Sequence, residues 1–218
     1  TINPGNKKGD KVLGQSKEAK EKGLKPSYVM VKCGCWGKNK KQLHRFYAWK
    51  DVTIFSGAPF FLDCKDCFVS ETKLKGVVKV SEEEAREHPE LMSDAGEIEF
   101  DLNIAKDIRY NVGYGTSWLF RFLKAFEMYW HAQGMKSYFE GSVVFNGKKY
   151  VVSKENCYGY SDKNWGKDFT SPWVWLSSNN LYSNIYKKQL KNSVFDIGGG
   201  RPKVLGIALE RKLLGAFW

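Results

Sequence analysis

The chain has 218 residues, of which 42% are hydrophobic and 15% aromatic, and this composition excludes a disordered protein because chains that stay unfolded are poor in aromatic residues. No apolar run approaches the length that crosses a bilayer, so we expect a soluble protein. The formal net charge is +11, and most of the excess lies within residues 1–45. We interpret residues 1–26 as a solvated basic arm, with peripheral contact to a membrane surface as the alternative, and we expect no nucleic-acid binding.

The five cysteines indicate a reducing compartment, because an odd number argues against a complete disulfide framework in a chain of this size. We therefore expect a cytoplasmic protein. Cys33, Cys35, Cys64 and Cys67 form two pairs that would together supply four thiolates to a zinc ion. The first pair is spaced C-x-C, however, and both pairs lie in apolar, strand-like segments where buried free cysteine is common. Inert core thiols are the favoured interpretation, and we expect neither a metal nor a cofactor.

The first part of the chain after the arm predicts a β-meander. Segments 28–33, 45–54 and 60–69 are rich in β-branched and aromatic residues, and turn-forming residues separate them. Ser81 and Glu84 then match a capping box, and Pro89 ends the predicted helix within about two turns. Residues 97–104 alternate polar and apolar side chains, which predicts a strand with one buried face.

The second part of the chain is also predicted to be mainly β. Residues 117–133 carry apolar side chains on every side of a helical wheel, so a buried helix and an apolar loop both fit. Strands are predicted at 138–145 and 149–152, joined by Asn146-Gly147, the dipeptide preferred in type I′ hairpin turns. Further short strands are expected at 174–176, 181–186 and 204–209. We predict one antiparallel barrel or sandwich over residues 27–218, with one or two short helices.

The chain ends in an apolar run, residues 213–217, followed by Trp218, without a turn or a polar tail. Chain termini are usually polar and exposed. We therefore expect the natural protein to continue beyond Trp218.

Residues 159–180 carry a motif. The segment contains Gly159-Tyr160, the acidic Asp162, Asn164, Trp165-Gly166, Phe169, a tryptophan pair around Val174, and Ser178-Asn179. In order and spacing this stretch resembles the signature of the tocopherol cyclase-like family. The upstream segment 126–131, Gly141-Ser142 and the Asn-Gly hairpin are also similar to that family, whereas the first hundred residues are not aligned with it.

The resemblance implies an enzyme that cyclises or isomerises a prenylated or other apolar small molecule. The same motif core also resembles that of carotenoid hydratases of the hydroxyneurosporene synthase type, which implies a lipocalin-like fold. The resemblance to the cyclase family, whose members are longer, implies that the chain forms part of a longer, two-barrel protein. A lipid or isoprenoid ligand is the expected partner. The alternative is a lipocalin-like protein that binds such a ligand without chemistry.

Protonation of an alkene needs a carboxylic acid held neutral in an apolar setting. Asp162, which lies among aromatic residues, is the first candidate acid, and Glu127 is the second. His131 would orient Glu127 if the segment between them is helical. The structural interpretation of the same residues is a turn-capping carboxylate at Asp162 and a polar stripe at Glu127 and His131.

The expected ligand-binding residues surround Asp162 in the motif: Tyr160, Lys163, Asn164, Trp165, Trp173 and Trp175. Indole rings stabilise a developing carbocation and also hold an apolar ligand. Glycines at 159 and 166 are expected to bend the strand so that Asp162 and Trp165 face the same cavity, although strand alternation alone would separate them. Trp173 and Trp175 are two residues apart and therefore share one strand face, either in the core or in a pocket wall.

Overall fold

The structure is a computed structural model. It describes residues 1–5, 21–22, 27–110, 118–166 and 171–218. Most of the predicted basic arm, and Phe169 and Thr170 of the motif, lie outside the described residues.

The described chain is mainly β. The strands of its first half are β1 (Ile2–Asn3), β2 (Tyr28–Cys35), β3 (Lys41–Ala48), β4 (Val52–Phe55), β5 (Phe61–Cys64), β6 (Cys67–Ser70), β7 (Lys73–Val80) and β8 (Gly96–Tyr110). The strands of its second half are β9 (Met128–Phe145), β10 (Lys148–Val152), β11 (Tyr158–Gly166), β12 (Trp173–Ser178), β13 (Leu181–Ser183), β14 (Lys188–Leu190), β15 (Phe195–Gly200), β16 (Lys203–Val204), β17 (Ile207–Ala208) and β18 (Lys212–Phe217). Helices span Glu82–Glu87 and Trp118–Phe122, and single 3-10 turns span Trp49–Asp51 and Pro89–Leu91.

The chain divides into two compact units. The first contains Thr1–Ile104 and Glu140–Ser153, and the second contains Ala105–Phe139 and Lys154–Trp218. Strands β1-β2-β3 form a three-stranded sheet, and a larger sheet has the order β10-β9-β8-β7-β6-β5-β4, with β11 also paired to β9. Within the second unit, β12-β15-β18 form a separate antiparallel sheet. None of these sheets closes into a barrel in the described residues, so of the two predicted architectures the sandwich fits and the barrel does not.

Three local predictions are confirmed. Asn146 and Gly147 both have positive φ, of 46° and 81°, as a type I′ turn requires, and they join β9 to β10. The Ser81 hydroxyl accepts a hydrogen bond from the Glu84 amide at 3.0 Å, and this cap starts the helix that ends before Pro89. In β8, Ile98 and Phe100 are buried, whereas Glu99 between them is exposed.

Other segments differ from prediction. A 3-10 turn at Trp49–Asp51 divides the predicted strand 45–54 into β3 and β4, and a two-residue turn divides 60–69 into β5 and β6. The described part of the segment 117–133, which begins at residue 118, contains neither a long buried helix nor only a loop. The helix there covers Trp118–Phe122, and β9 already begins at Met128.

The buried core of the first unit contains Val29, Leu43, Leu62, Val78 and Ile98, with other apolar residues around them. Cys64 and Cys67 are cross-strand partners in this core, and all five cysteines are free thiols. The core of the second unit is smaller and consists of Ile108, Ala132, Met135 and Val194. No group of three or more His, Cys, Asp or Glu side chains is arranged to hold a metal among the described residues.

None of the helices in the described ranges combines the length and the apolar character that a membrane crossing requires.

Candidate active site

Two slips in strand register shape the β9–β11 pair in the second unit. Asn164 pairs with Trp130 and Tyr158 with Tyr138, but between these pairs β9 contributes two more residues than β11. The extra residues occur at two places, between His131 and Gly134 and between Gly134 and Ser137. Such bulges place more residues on one strand and let it bend over its neighbours.

Strand alternation divides the motif residues of β11 between two faces. Asp162 accepts a hydrogen bond from Trp130, whereas Trp165 stacks on Tyr129 with ring centroids 5.6 Å apart. Tyr129 and Trp130 are consecutive in β9 and therefore point to opposite sides of the sheet. The prediction that Asp162 and Trp165 share one cavity is wrong, because the two glycines that flank them do not override the alternation.

The first face of β11 carries Tyr160, Asp162 and Asn164. Asp162 Oδ2 accepts hydrogen bonds from Trp130 Nε1 at 3.2 Å and from Asn164 Nδ2 at 2.9 Å. The Asp162 carboxylate is exposed to solvent and does not have the apolar surroundings that were expected for the acid. In this structure it is the acceptor that fixes the orientation of the Trp130 indole.

A second aspartate, Asp196 of β15, neighbours Tyr160 of this face and is 0% exposed. Its Oδ1 accepts a hydrogen bond of 2.8 Å from Trp175 Nε1. Its Oδ2 is buried and has no hydrogen-bond partner of standard geometry among the described residues, and the same is true of the hydroxyl of the neighbouring Tyr160. A fully buried carboxyl with one unpaired oxygen is rare in native proteins and calls for a functional or structural reason.

Burial raises the pKa of the Asp196 carboxyl above its ordinary value, because water no longer stabilises the carboxylate. The nearby Tyr160 hydroxyl and the Trp175 indole, which donates a hydrogen bond, both oppose this rise, and the charge of Asp162 adds to it. The pKa of Tyr160 is also raised, first by burial and then by its neighbour Asp196. The two groups lie close enough to influence each other, although the hydroxyl is not aligned for a standard hydrogen bond. Asp196 is thus the carboxyl in the described second unit whose surroundings favour the neutral acid.

Aromatic rings surround Asp196. The Tyr160 and Trp175 rings are tilted against each other at a centroid distance of 5.5 Å. The Trp130 ring packs on Gly198, where an added Cβ would lie 3.6 Å from the ring. Trp175 is 45% exposed, although its indole nitrogen is hydrogen-bonded to the fully buried Asp196 carboxyl.

The opposite face of β11 carries Lys163 and Trp165. Lys163 Nζ lies 5.4 Å from the centroid of the Trp165 ring, in cation–π geometry. His131 is the cross-strand partner of Lys163. These residues and Tyr129 form a basic and aromatic surface that the strand separates from Asp196.

Glu127, predicted as the second candidate acid, lies in neither of these two groups of residues. Its Oε2 forms an ion pair of 3.2 Å with Lys203 Nζ. The segment that follows it is β9 and not a helix, so Glu127 and His131 lie about 13 Å apart along an extended chain. The predicted orientation of Glu127 by His131 is therefore wrong, since it depended on a helical turn.

Trp173 and Trp175 lie two residues apart in β12. Trp175 contributes to the aromatic cluster, whereas Trp173 is largely exposed. Asp196 is a site residue that the sequence analysis did not predict. The sequence does contain an indication of it, because Val194, Phe195 and Ile197 are apolar, and a single carboxylate inside an apolar strand suggests a buried acid.

A surface depression of about 460 Å³ lies elsewhere, in the first unit, lined among others by Lys79, Glu82, Gly96 and Asn146. Its lining contains none of the predicted site residues. The predicted chemistry and this depression are therefore separate features.

Comparison with known proteins assigns the chain to a family. The family model described as tocopherol cyclase-like matches residues 64–216, which include the whole motif and all residues of the Asp196 cluster. The chain belongs to the tocopherol cyclase-like family. No curated protein and no solved structure matches the chain. The match begins at Cys64, so it extends further towards the N-terminus than the motif resemblance alone indicates.

Proposed function

We propose that this member of the tocopherol cyclase-like family catalyses an acid-dependent cyclisation or isomerisation of a prenylated phenol or a similar apolar molecule. The observation that carries the proposal is the buried Asp196 carboxyl, which has a raised pKa and aromatic rings around it. Neither of the two acids that the sequence predicts has this setting, because Asp162 is exposed and Glu127 is paired with a lysine.

The proposed reaction begins with proton transfer from the neutral Asp196 carboxyl to one carbon of a prenyl double bond. The other carbon becomes a carbocation, which the π faces of Trp130, Tyr160 and Trp175 stabilise. In a cyclisation the phenol oxygen then attacks the cation and forms the new C–O bond. The phenol proton returns to the Asp196 carboxylate, so the product is an isomer of the substrate and the acid is regenerated.

The remaining motif residues have roles that follow from their faces. Asp162 and Asn164 position the Trp130 indole beside the acid through the hydrogen bonds described above. Trp175 contacts Asp196 through its indole nitrogen and is 45% exposed, so we infer that a substrate packs against the Trp175 ring and displaces it to reach the carboxyl. Lys163, Trp165 and Trp173 stay proposed ligand contacts outside this immediate cluster.

Binding without chemistry is the second candidate function. The observation that favours it is the complete enclosure of Asp196, since an acid that never meets the ligand transfers no proton. The protein would then hold a lipid or isoprenoid against its aromatic residues without changing it.

Incubation with a prenylated hydroquinone in deuterated water separates these candidates. A cyclase places one solvent deuteron on the product carbon that accepts the proton, and mass spectrometry detects it. We expect Asp196→Asn to lower turnover by about 10²-fold or more while ligand binding is kept. The exposed Asp162→Asn is the matched control, with a smaller effect that acts through Trp130. Equal turnover in the parent and in Asp196→Asn would reject Asp196 as the acid, and tight binding without any product would favour the carrier.

A further inference from the structure

An exposed apolar surface lies in the second unit, separate from the Asp196 cluster. It consists of the short helix with the residue after it and of the β16–β17 hairpin: Trp118, Leu119, Phe122, Leu123, Leu205 and Ile207. Trp118 is 70% exposed and Phe122 is 77% exposed. We call these six residues the apolar tip.

Direct contacts join the two parts of the apolar tip. The Leu205 amide donates a hydrogen bond of 2.8 Å to the Ala125 carbonyl, and Phe126 forms a β-bridge with Val204. The Phe120 and Phe126 rings meet edge to face at 6.2 Å, which fixes the helix on the chain that reaches the hairpin. The exposed residues of helix and hairpin therefore belong to one local surface.

The hairpin turn carries an apolar residue where local conformation favours a polar one. Leu205 and Gly206 have φ values of 50° and 82° and connect the paired residues Val204 and Ile207, so they form a two-residue turn of type I′. Another turn with positive φ at both central residues has Asn146 at the same position, and among residues other than glycine asparagine is one that tolerates positive φ well. Leucine is unfavourable in this conformation, and here its side chain is 70% exposed. The backbone conformation of the turn therefore does not explain why position 205 is a leucine.

The charges around the apolar tip are mainly positive. Lys124, Arg201, Arg211 and Lys212 are exposed. Within the described segments 118–127 and 201–212, the acidic residues are Glu127, paired with Lys203 at 3.2 Å, and Glu210, which lies 3.9 Å from Lys212. The flank of the tip therefore has a net positive charge and complements an anionic surface.

We propose that the apolar tip inserts into the surface of an anionic lipid bilayer. Tryptophan, phenylalanine and leucine are the side chains that enter the headgroup and acyl boundary, and lysine and arginine beside them bind anionic headgroups. Insertion would remove the exposed Leu205 side chain from water, and this transfer of apolar surface is favourable. This proposal does not depend on the catalytic role of Asp196.

Vesicle co-sedimentation tests the proposal on the full chain, with vesicles of phosphatidylcholine alone and with added phosphatidylserine. We expect binding to the anionic vesicles that weakens as salt is added. Leu205→Asn should lower the partition coefficient by about tenfold, because it removes one buried leucine side chain from the bilayer. The same variant should unfold at the same or a higher temperature, since asparagine suits the type I′ turn. Misfolding therefore does not account for a loss of binding.

Trp36→Ala is the matched control, because Trp36 is 85% exposed but lies in the first unit in the β2–β3 hairpin. It should bind like the parent, whereas Trp118→Ala should bind more weakly. Unchanged binding in both Leu205→Asn and Trp118→Ala would overturn the proposal and assign any membrane contact to the basic N-terminal residues. Absence of binding in the parent would also overturn it, and so would a concentration-dependent dimer that Leu205→Asn dissociates without lipid.

Discussion

The Trp175 indole donates its hydrogen bond to a carboxyl oxygen that is completely buried, Asp196 Oδ1. Within the described second unit, this bond satisfies one oxygen of the carboxyl, whereas the other oxygen, Oδ2, has no hydrogen-bond partner. The pair therefore links the stability of the β12–β15 sheet to the protonation of the proposed acid.

Trp175→Phe should destabilise the protein, because it leaves both oxygens of Asp196 unpaired in the interior. An unsatisfied buried polar group costs about 1–3 kcal/mol. Urea unfolding measures the loss. Trp173→Phe is the control on the same strand, and it should change the free energy of unfolding by less than about 0.5 kcal/mol because Trp173 is largely exposed. Equal losses in the two variants would contradict the assigned hydrogen bond.

Stability should depend on pH through Asp196. Its pKa in the folded state is raised above the ordinary value of 3.8, so folding favours the protonated carboxyl. The contribution of Asp196 to the free energy of unfolding is therefore fully present below about pH 4 and is lost as the pH rises through the raised pKa. Asp196→Asn removes this dependence. Urea unfolding at a series of pH values gives the free energy of unfolding of each protein. The value of the parent minus that of the variant should fall as the pH rises over this range, and a constant difference would mean that the carboxyl titrates normally.

Asn146 should contribute more to the free energy of unfolding than its preference for the turn conformation alone. Its side-chain Oδ1 accepts a hydrogen bond of 2.8 Å from the Glu97 amide, and its φ is 46°. Asn146→Ala loses both advantages and should cost about 1–2 kcal/mol. Asn146→Gly keeps the backbone freedom and loses only the hydrogen bond, so its cost should be smaller. Thermal unfolding of the two variants separates the contributions, and an alanine variant as stable as the parent would contradict them.

The core thiols should react slowly. Burial raises the pKa of Cys33 and of Cys64 to about 12, and the nearby Cys67 adds to both shifts. At about pH 8 each thiol then has little of the reactive thiolate form. Peptide mass spectrometry after iodoacetamide treatment should show slow alkylation of both cysteines in the folded protein and rapid alkylation in urea. Similar rates in the two conditions would show that these thiols are accessible.

The sequence predicted those features that a few neighbouring residues determine. The Asn146-Gly147 turn, the Ser81 cap and the alternation around Ile98 depend on local backbone preferences and on one buried face. The turn between Cys64 and Cys67 was missed because Lys65 and Asp66 include neither glycine nor proline. The spacing that suggested a zinc pair is instead that of a tight hairpin, in which the two cysteines face each other.

The candidate site was predicted only in part, because its members come together through tertiary pairing. Tyr160, Asn164 and Trp175 stay predicted ligand-binding residues, and the assignment of their faces required the register with β9. Asp196 lies more than 30 residues from Asp162 in the chain. Its proximity to Tyr160 depends on the packing of β15 against β11, which no local pattern specifies.

The two register slips in β9 also constrain how the chain length of this strand can change. Each slip alone reverses the faces of all residues beyond it, and the two together restore them, so Trp130 and Tyr138 keep the sides that their partners on β11 require. Deletion of one residue between His131 and Ser137 would make the ladder more regular and at the same time turn the Trp130 indole away from Asp162. In this strand, the number of residues between two side chains therefore matters for the site as much as their identity.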